Sequence, residues 1–258
     1  MPFLMRTRNE SVVYFEQRVA LEKTEDFLAR YNAAHPEARA TLFHVVTWAA
    51  AKVLHERPHL NRFVSGGRIY QRDGVYVSYS AKKALRDGAP VIVQKRRIDE
   101  GQGFAALVAG MHAALREGRS DKPSYTDKEL GLLLALPSPL LGFLLWAQRA
   151  LDALGLLPGA FIRNDPMYAS LFIANLGSLK MDAGFHHLFE YGTIGLFCVI
   201  GRVFSEPALV SGALVERRVA LLRFTYDERV EDGLYAGAAL QRLQQMIEDP
   251  EGAGATVV

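Results

Sequence analysis

The sequence predicts an α/β fold, in which strands and helices alternate along the chain. Three observations carry this. Apolar or alternating runs of strand length recur at residues 11–21, 75–79, 168–175, 192–202 and 219–226. Helical periodicity recurs between them: Phe104, Leu107, Val108, Met111 and Leu115 share one face of 103–117, and Leu240, Leu243 and Ile247 share one face of 236–247. Half of the 258 residues are hydrophobic, enough for a sizeable core, and the length suits one large domain or two small ones.

In chain order, residues 11–21 read as a strand carrying Val12, Val13, Tyr14, Phe15 and Val19. Thr24 is the expected cap of a helix with Glu25 and Asp26 in its first turn, with Phe27, Leu28 and Tyr31 facing inward and an end near His35-Pro36. A second helix is expected from Thr41 to about Glu56, with Val45, Trp48, Ala49 and Leu54 as its apolar stripe and Pro58 beyond its end. Residues 68–71 and 75–79 flank Asp73-Gly74, which predicts a hairpin between them. A short strand follows at 90–93, and Lys95-Arg96-Arg97 reads as its solvated end. Gly118 is the expected terminator of helix 103–117, and residues 121–127 form a polar linker.

The stretch from Leu130 to Gln148 has no charge, and Pro137-Ser138-Pro139 splits it. It is too short and too interrupted for a spanning helix, which needs about 20 apolar residues. With Trp146 and Arg149, the insert at 130–162 suits extra packed helices, an oligomer contact, a lid, or a membrane-surface segment. Beyond it, strands are expected at 168–175 and 192–202. A final hairpin of 210–215 and 219–226 turns around Glu216-Arg217-Arg218, and a helix at 234–248 and a loose tail at 252–258 close a single domain spanning 1–258.

Several function classes are disfavoured. Net charge is +2 with scattered basic residues, which gives no nucleic-acid footprint. The single cysteine, Cys198, lies in an apolar run and reads as a buried small residue, so no internal disulfide forms and a reducing, cytoplasmic setting is expected, with membrane association through the insert as an option. Met1-Pro2-Phe3-Leu4 is too short for a secretory segment. His186-His187 with Glu190 lack further ligands, so no metal is expected. Gly66-Gly67 precedes a strand rather than a helix and is no phosphate loop, and there is no Gly-x-Ser-x-Gly elbow.

The most informative text is Phe224-Thr225-Tyr226-Asp227-Glu228-Arg229-Val230-Glu231-Asp232-Gly233, a charged turn between a buried strand and a helix. It resembles the Asp-His-Arg-Val-x-Asp-Gly of the dihydrolipoamide acyltransferase catalytic domain of 2-oxoacid dehydrogenase complexes, and the His-x-x-x-Asp-Gly of the chloramphenicol acetyltransferases. Asp227, Arg229, Val230, Asp232 and Gly233 match, and Glu228 stands at the histidine position. Pro58-His59-Leu60-Asn61 resembles the family's Pro-x-Leu-Asn turn. Phe172 to Gly177 resembles Phe-Thr-Ile-Ser-Asn-Leu-Gly, Gly195 to Gly201 resembles Ala-Ile-Leu-x-Val-Gly, and Glu248-Asp249-Pro250 resembles Leu-Glu-Asp-Pro. The resemblance runs from near Glu10 to near Pro250, apart from the insert.

The resemblance implies a coenzyme A-dependent acyltransferase fold, a mixed sheet flanked by helices, and trimers or larger homo-oligomers with the site between subunits. It implies acyl transfer between coenzyme A and a thiol such as dihydrolipoamide, in which a neutral histidine takes the thiol proton and a hydroxyl stabilises the oxyanion. On this alignment Glu228 replaces the histidine, Ala174 occupies the position of the oxyanion serine, and Asp232 is the structural acid. Losing one oxyanion donor costs about a hundred- to a thousandfold in rate, and losing the base costs a further factor of roughly a hundred to ten thousand. Ser170, Ser178 and Thr225 are hydroxyls near enough in sequence to substitute. Glutamate, with an ordinary pKa of about 4.3, is a weak thiol base unless its surroundings raise it, and Glu231 is a candidate to do so. Two readings follow: a non-catalytic scaffold or acyl-coenzyme A binder, and an active acyltransferase using Glu228. No lipoyl segment is seen ahead of the first strand, so a lipoyl substrate would come from a partner chain.

Overall fold

The structure is a computed structural model that describes residues 3–82, 91–119 and 136–257. The expected linker at 121–127, the first residues of the insert, Pro90 and the first two residues of the chain lie outside the described residues. Six strands form one mixed sheet in the order β1-β8-β7-β6-β4-β5. They are β1 (Val12–Ala20), β4 (Val75–Lys82), β5 (Val91–Ile98), β6 (Leu171–Asn175), β7 (Leu196–Val210) and β8 (Ala213–Asp227). β6 runs parallel to both β4 and β7, and the other pairings are antiparallel. This is the expected α/β class with a mixed sheet.

Side-chain alternation along the strands divides the core in two. Leu171, Ile173, Cys198, Ile200, Leu222, Phe224 and Tyr226 face the helices α1 (Glu22–Ala34), α2 (Leu42–Glu56), α3 (Phe104–Arg119) and α6 (Gly233–Glu248). Phe172, Phe197 and Val199 face the other way and are covered by Ala183, Leu188 and Ile194. Cys198 is fully buried, and burial pushes its thiol up, so it packs as an apolar residue.

The structure corrects several local expectations. Thr24 does not cap α1, whose flanking residue is Leu21; Thr24 sits one turn inside and donates its hydroxyl to the Ile247 carbonyl at the end of α6. Asp73-Gly74 does not join a hairpin. The hairpin is β2 (Arg62–Ser65) with β3 (Arg68–Gln71), a separate two-stranded sheet turned by Gly66-Gly67, both at positive φ. Two consecutive residues at φ > 0 give the turn whose twist matches paired strands. Lys95, Arg96 and Arg97 lie within β5 rather than at a solvated end: Lys95 donates to the Ile162 and Asp165 carbonyls and Arg96 to that of Gly110. Gly118 lies inside α3, against Gln94 and Ile92 of β5, instead of ending the helix. The last hairpin turns at Ser211-Gly212, both at positive φ, while Arg217 and Arg218 pair with Glu22 and Glu25 inside β8. Residues 252–257 do not hang free: Ala255 is buried and Lys52 donates to the Ala253 carbonyl.

α2 begins with a reciprocal cap, in which the His44 imidazole accepts from the Thr41 backbone at 3.1 Å. Burial, and then the charge of His112, lower the His44 pKa to about 4. The unfolded chain therefore takes up this proton near the ordinary value of about 6.5 while the folded chain still excludes it. Stability from this group is full above pH 6.5 and falls as pH drops from there towards 4, by up to about 3 kcal/mol. Urea unfolding across that range checks this; His44→Gln should flatten the slope between pH 6.5 and 4.

Candidate functional site

The turn after β8 is built by its own charges. Asp227 is buried and receives Arg229 in a two-pronged ion pair, Nε to Oδ1 at 2.8 Å and Nη2 to Oδ2 at 2.7 Å. Ser11 Oγ donates to the same carboxylate at 2.9 Å, and the Asp227 amide donates to the Gly195 carbonyl. Arg229 also reaches the Arg6 carbonyl at 3.2 Å. Planar guanidinium–carboxylate pairing at this depth fixes the backbone of the turn and ties it to the N-terminal segment. Asp232 then caps α6, accepting the Tyr235 amide at 2.9 Å.

Glu228 is held only by its backbone, whose amide donates to the Ser11 carbonyl. Its half-buried carboxylate makes no hydrogen bond or ion pair among the described residues. Its charge is felt at Tyr226: burial first, then Glu228 and Asp232, raise the Tyr226 pKa. The Tyr226 hydroxyl is buried without a partner. It borders an apolar cavity of about 60 Å³ between the sheet, α2 and α6, lined by residues that include Leu60, Leu196, Ala236 and Leu240.

Glu231 does not turn towards Glu228. Its carboxylate meets His59 Nδ1 at 2.6 Å and Arg62 at 3.5 Å, while the His59 ring stacks on Tyr235. His59 is the residue that sequence reasoning passed over: it filled the free position of the Pro-x-Leu-Asn turn, and nothing local links residue 59 to residue 231. The fold brings those two motifs into contact.

Ala174 sits elsewhere. It lies on β6 beside Val199, with its side chain on the sheet face away from the main helices. Tyr226 is level with Leu196, which is level with Leu171. Glu228 and Ala174 are therefore separated by about 16 Å along the strands and about 10 Å across two strand spacings. One chain does not bring these two positions together. Two of the candidate hydroxyls are spent as donors: Ser178 donates to the Asn175 carbonyl and Thr225 to the His186 carbonyl, while Ser170 is buried and its oxygen accepts from the Tyr76 amide.

A second, polar cavity of about 140 Å³ lies beside the turn, lined by Arg6, Arg8, Arg229, Glu190, Ser65 and the Gly66-Gly67 backbone. Arg8 is buried and donates to the Phe189 and Gly192 carbonyls. Desolvation lowers its pKa, against the pull of Asp227 and Glu190. Cationic lining of this kind suits an anionic group. His186, His187 and Glu190 do not converge: His186 stacks on Phe197, and Glu190 accepts from Asn9 and Arg8. Among the described residues no group of three His, Cys, Asp or Glu side chains is placed to hold a metal ion.

Residues 163–255 match the family model described as the catalytic domain of 2-oxoacid dehydrogenase acyltransferases. No curated protein matches the chain. Among solved structures, a probable dihydrolipoamide acetyltransferase from Listeria monocytogenes 4b F2365 superposes with a TM-score of 0.65 at 13% identity, covering 96% of this chain and 88% of that one. The cubic core of the pyruvate dehydrogenase multienzyme complex gives 0.65 at 15% identity, covering 93% and 83%. A chloramphenicol acetyltransferase gives 0.57 at 12% identity, covering 95% and 92%. At such identities the structural likeness shows the fold, and the match to the catalytic-domain model is confined to residues 163–255. The chain has the acyltransferase fold, and that segment of it is similar to the 2-oxoacid dehydrogenase acyltransferase catalytic domain.

Proposed function

We propose that the protein is a non-catalytic member of the acyltransferase fold, a trimeric or larger homo-oligomer that acts as a scaffold or binds an acyl-coenzyme A-like ligand. One observation carries the reading: neither chemical position is equipped. Ala174 offers no donor, the Ser178 and Thr225 hydroxyls are spent on backbone carbonyls, and the Glu228 carboxylate has no partner among the described residues to orient it. A base needs a fixed position relative to the proton that it takes, and an oxyanion needs a preorganised donor. Binding is a separate matter. The arginine-lined cavity beside the turn has the charge that a coenzyme A phosphate requires. The separation of Glu228 from Ala174 within one chain is what a site shared between copies would produce, and the matched cubic core supports assembly by analogy. A lipoyl-bearing partner would then be a binding partner rather than a substrate.

The second reading is an active enzyme with Glu228 as base. It draws on that carboxylate's lack of other engagements.

Assembly and binding are tested together. In solution the native chain should have a mass of three copies of 28.6 kDa, or a multiple of that. Coenzyme A should bind with a heat that Arg6→Ala diminishes. A 28.6 kDa monomer that binds no coenzyme A would overturn the proposal.

A further inference from the structure

The insert has its polarity reversed. α4 (Ser138–Ala153) and α5 (Gly159–Asn164) contain no buried residue. They are fastened by polar groups. Gln148 donates to the Tyr168 hydroxyl at 2.7 Å, Ser65 donates to the Asp152 carbonyl at 2.9 Å, and Lys95 holds the Ile162 and Asp165 carbonyls. The Gly66 turn fits against α4 so closely that a Cβ there would lie 2.1 Å from the Ala153 carbonyl oxygen. Phe161 packs edge-on against Tyr168, but the large apolar side chains of α4 point outward: Phe143 is 59% exposed, Trp146 64% and Leu154, just past its end, 71%, and Phe143 stacks on Trp146. A helix in water turns this face to the protein. One that turns it outward has something else to cover it.

The charges say what. The exposed charged residues of this segment are Arg149 and Arg163. Its acids are turned inward: Asp152 is half-buried, and desolvation raises its pKa, while Asp165 accepts from the Met167 amide and the Tyr191 hydroxyl. Arg68, two residues past the Gly66 contact, is also exposed. A second copy laid face to face would offer these arginines no exposed acid from the same segment. A surface of anionic lipid complements both the apolar face and its basic rim. No helix of the described residues is long and apolar enough to cross a membrane, so α4 would lie along the surface. We propose that the outward face of α4, centred on Phe143 and Trp146, with the exposed Arg149 one turn on from Trp146 and the exposed Arg163 in α5, docks the protein on membranes rich in anionic lipid.

The test is co-sedimentation of the full native chain with vesicles of phosphatidylcholine alone, and of phosphatidylcholine with an equal part of phosphatidylglycerol. Binding to the anionic vesicles should exceed binding to the neutral ones by about tenfold at low salt, and fall as salt rises. The pair Phe143→Ser with Trp146→Ser should weaken binding to both vesicles by about tenfold, since it removes inserted apolar area. Arg149→Glu with Arg163→Glu should abolish only the preference for the anionic vesicles. All four side chains are exposed, so thermal unfolding should be unchanged and folding is not in question. Native chain that does not sediment with either vesicle would overturn the proposal. So would serine variants that bind like native, or that change the solution mass without changing vesicle binding, since a second copy would then cover the face.

Discussion

Arg229→Ala should cost about 3–5 kcal/mol of stability, because it strands the Asp227 carboxylate in the core with only Ser11 and a backbone amide for company. The two side chains are 5% and 1% exposed, so water cannot repair the loss. Arg229→Lys should recover only part, since an ammonium cannot make both prongs of the pair. Replacing both members by apolar residues of similar volume, Asp227→Leu with Arg229→Met, should be far less harmful than either single loss, because neither charge is then left alone. Urea denaturation of the three variants reads this directly. A loss below 1 kcal/mol in Arg229→Ala would mean that the pair does not hold the turn. Because the same pair ties the turn to residues 5 and 6, the arginine-lined cavity should be lost with it.

The second large effect concerns chemistry. If the ligand channel of the fold survives and only the reacting groups are gone, Glu228→His with Ala174→Ser should raise acetyl transfer to dihydrolipoamide by at least about a hundredfold over the native chain. Each single change should do little, since a base without an oxyanion donor, or the reverse, leaves most of the barrier standing. The pair lies far apart within one chain, so rescue would also demonstrate that two copies meet at the site. Failure of the double variant would mean that the site has been rebuilt beyond those two positions.

Much of the fold was legible in the sequence. Strand β6 with Asn175-Leu176-Gly177 and the Asp227-to-Gly233 turn appear where short-range pattern puts them, because each is specified locally by apolar runs and turn residues, whereas β7 begins at Leu196 and runs on to Val210 instead of ending at 202, because its pairing with β8 carries it past the apolar run. The hairpins were misplaced because Asp73-Gly74 and Gly66-Gly67 are both plausible turns, and only strand pairing chooses between them. Thr24 reads as a cap from its chemistry alone, while its actual partner, Ile247, is more than two hundred residues away. The Asp227–Ser11 and His59–Glu231 contacts are likewise long-range and leave no periodicity to find. The insert shows a further limit. Periodicity announces a helix, but in a segment apolar on most sides it does not say which face meets the protein. Hydrogen bonds from Gln148 and to the carbonyls of Asp152 and Ile162 settled that.

Turnover of the native protein decides whether the chain keeps the acyltransferase fold without its chemistry. With acetyl-coenzyme A and dihydrolipoamide both in excess, no transfer above the protein-free rate is expected at any pH from 6 to 9. A clear rate that Glu228→Gln abolishes, while coenzyme A binding is kept, would contradict it and make Glu228 the catalytic base.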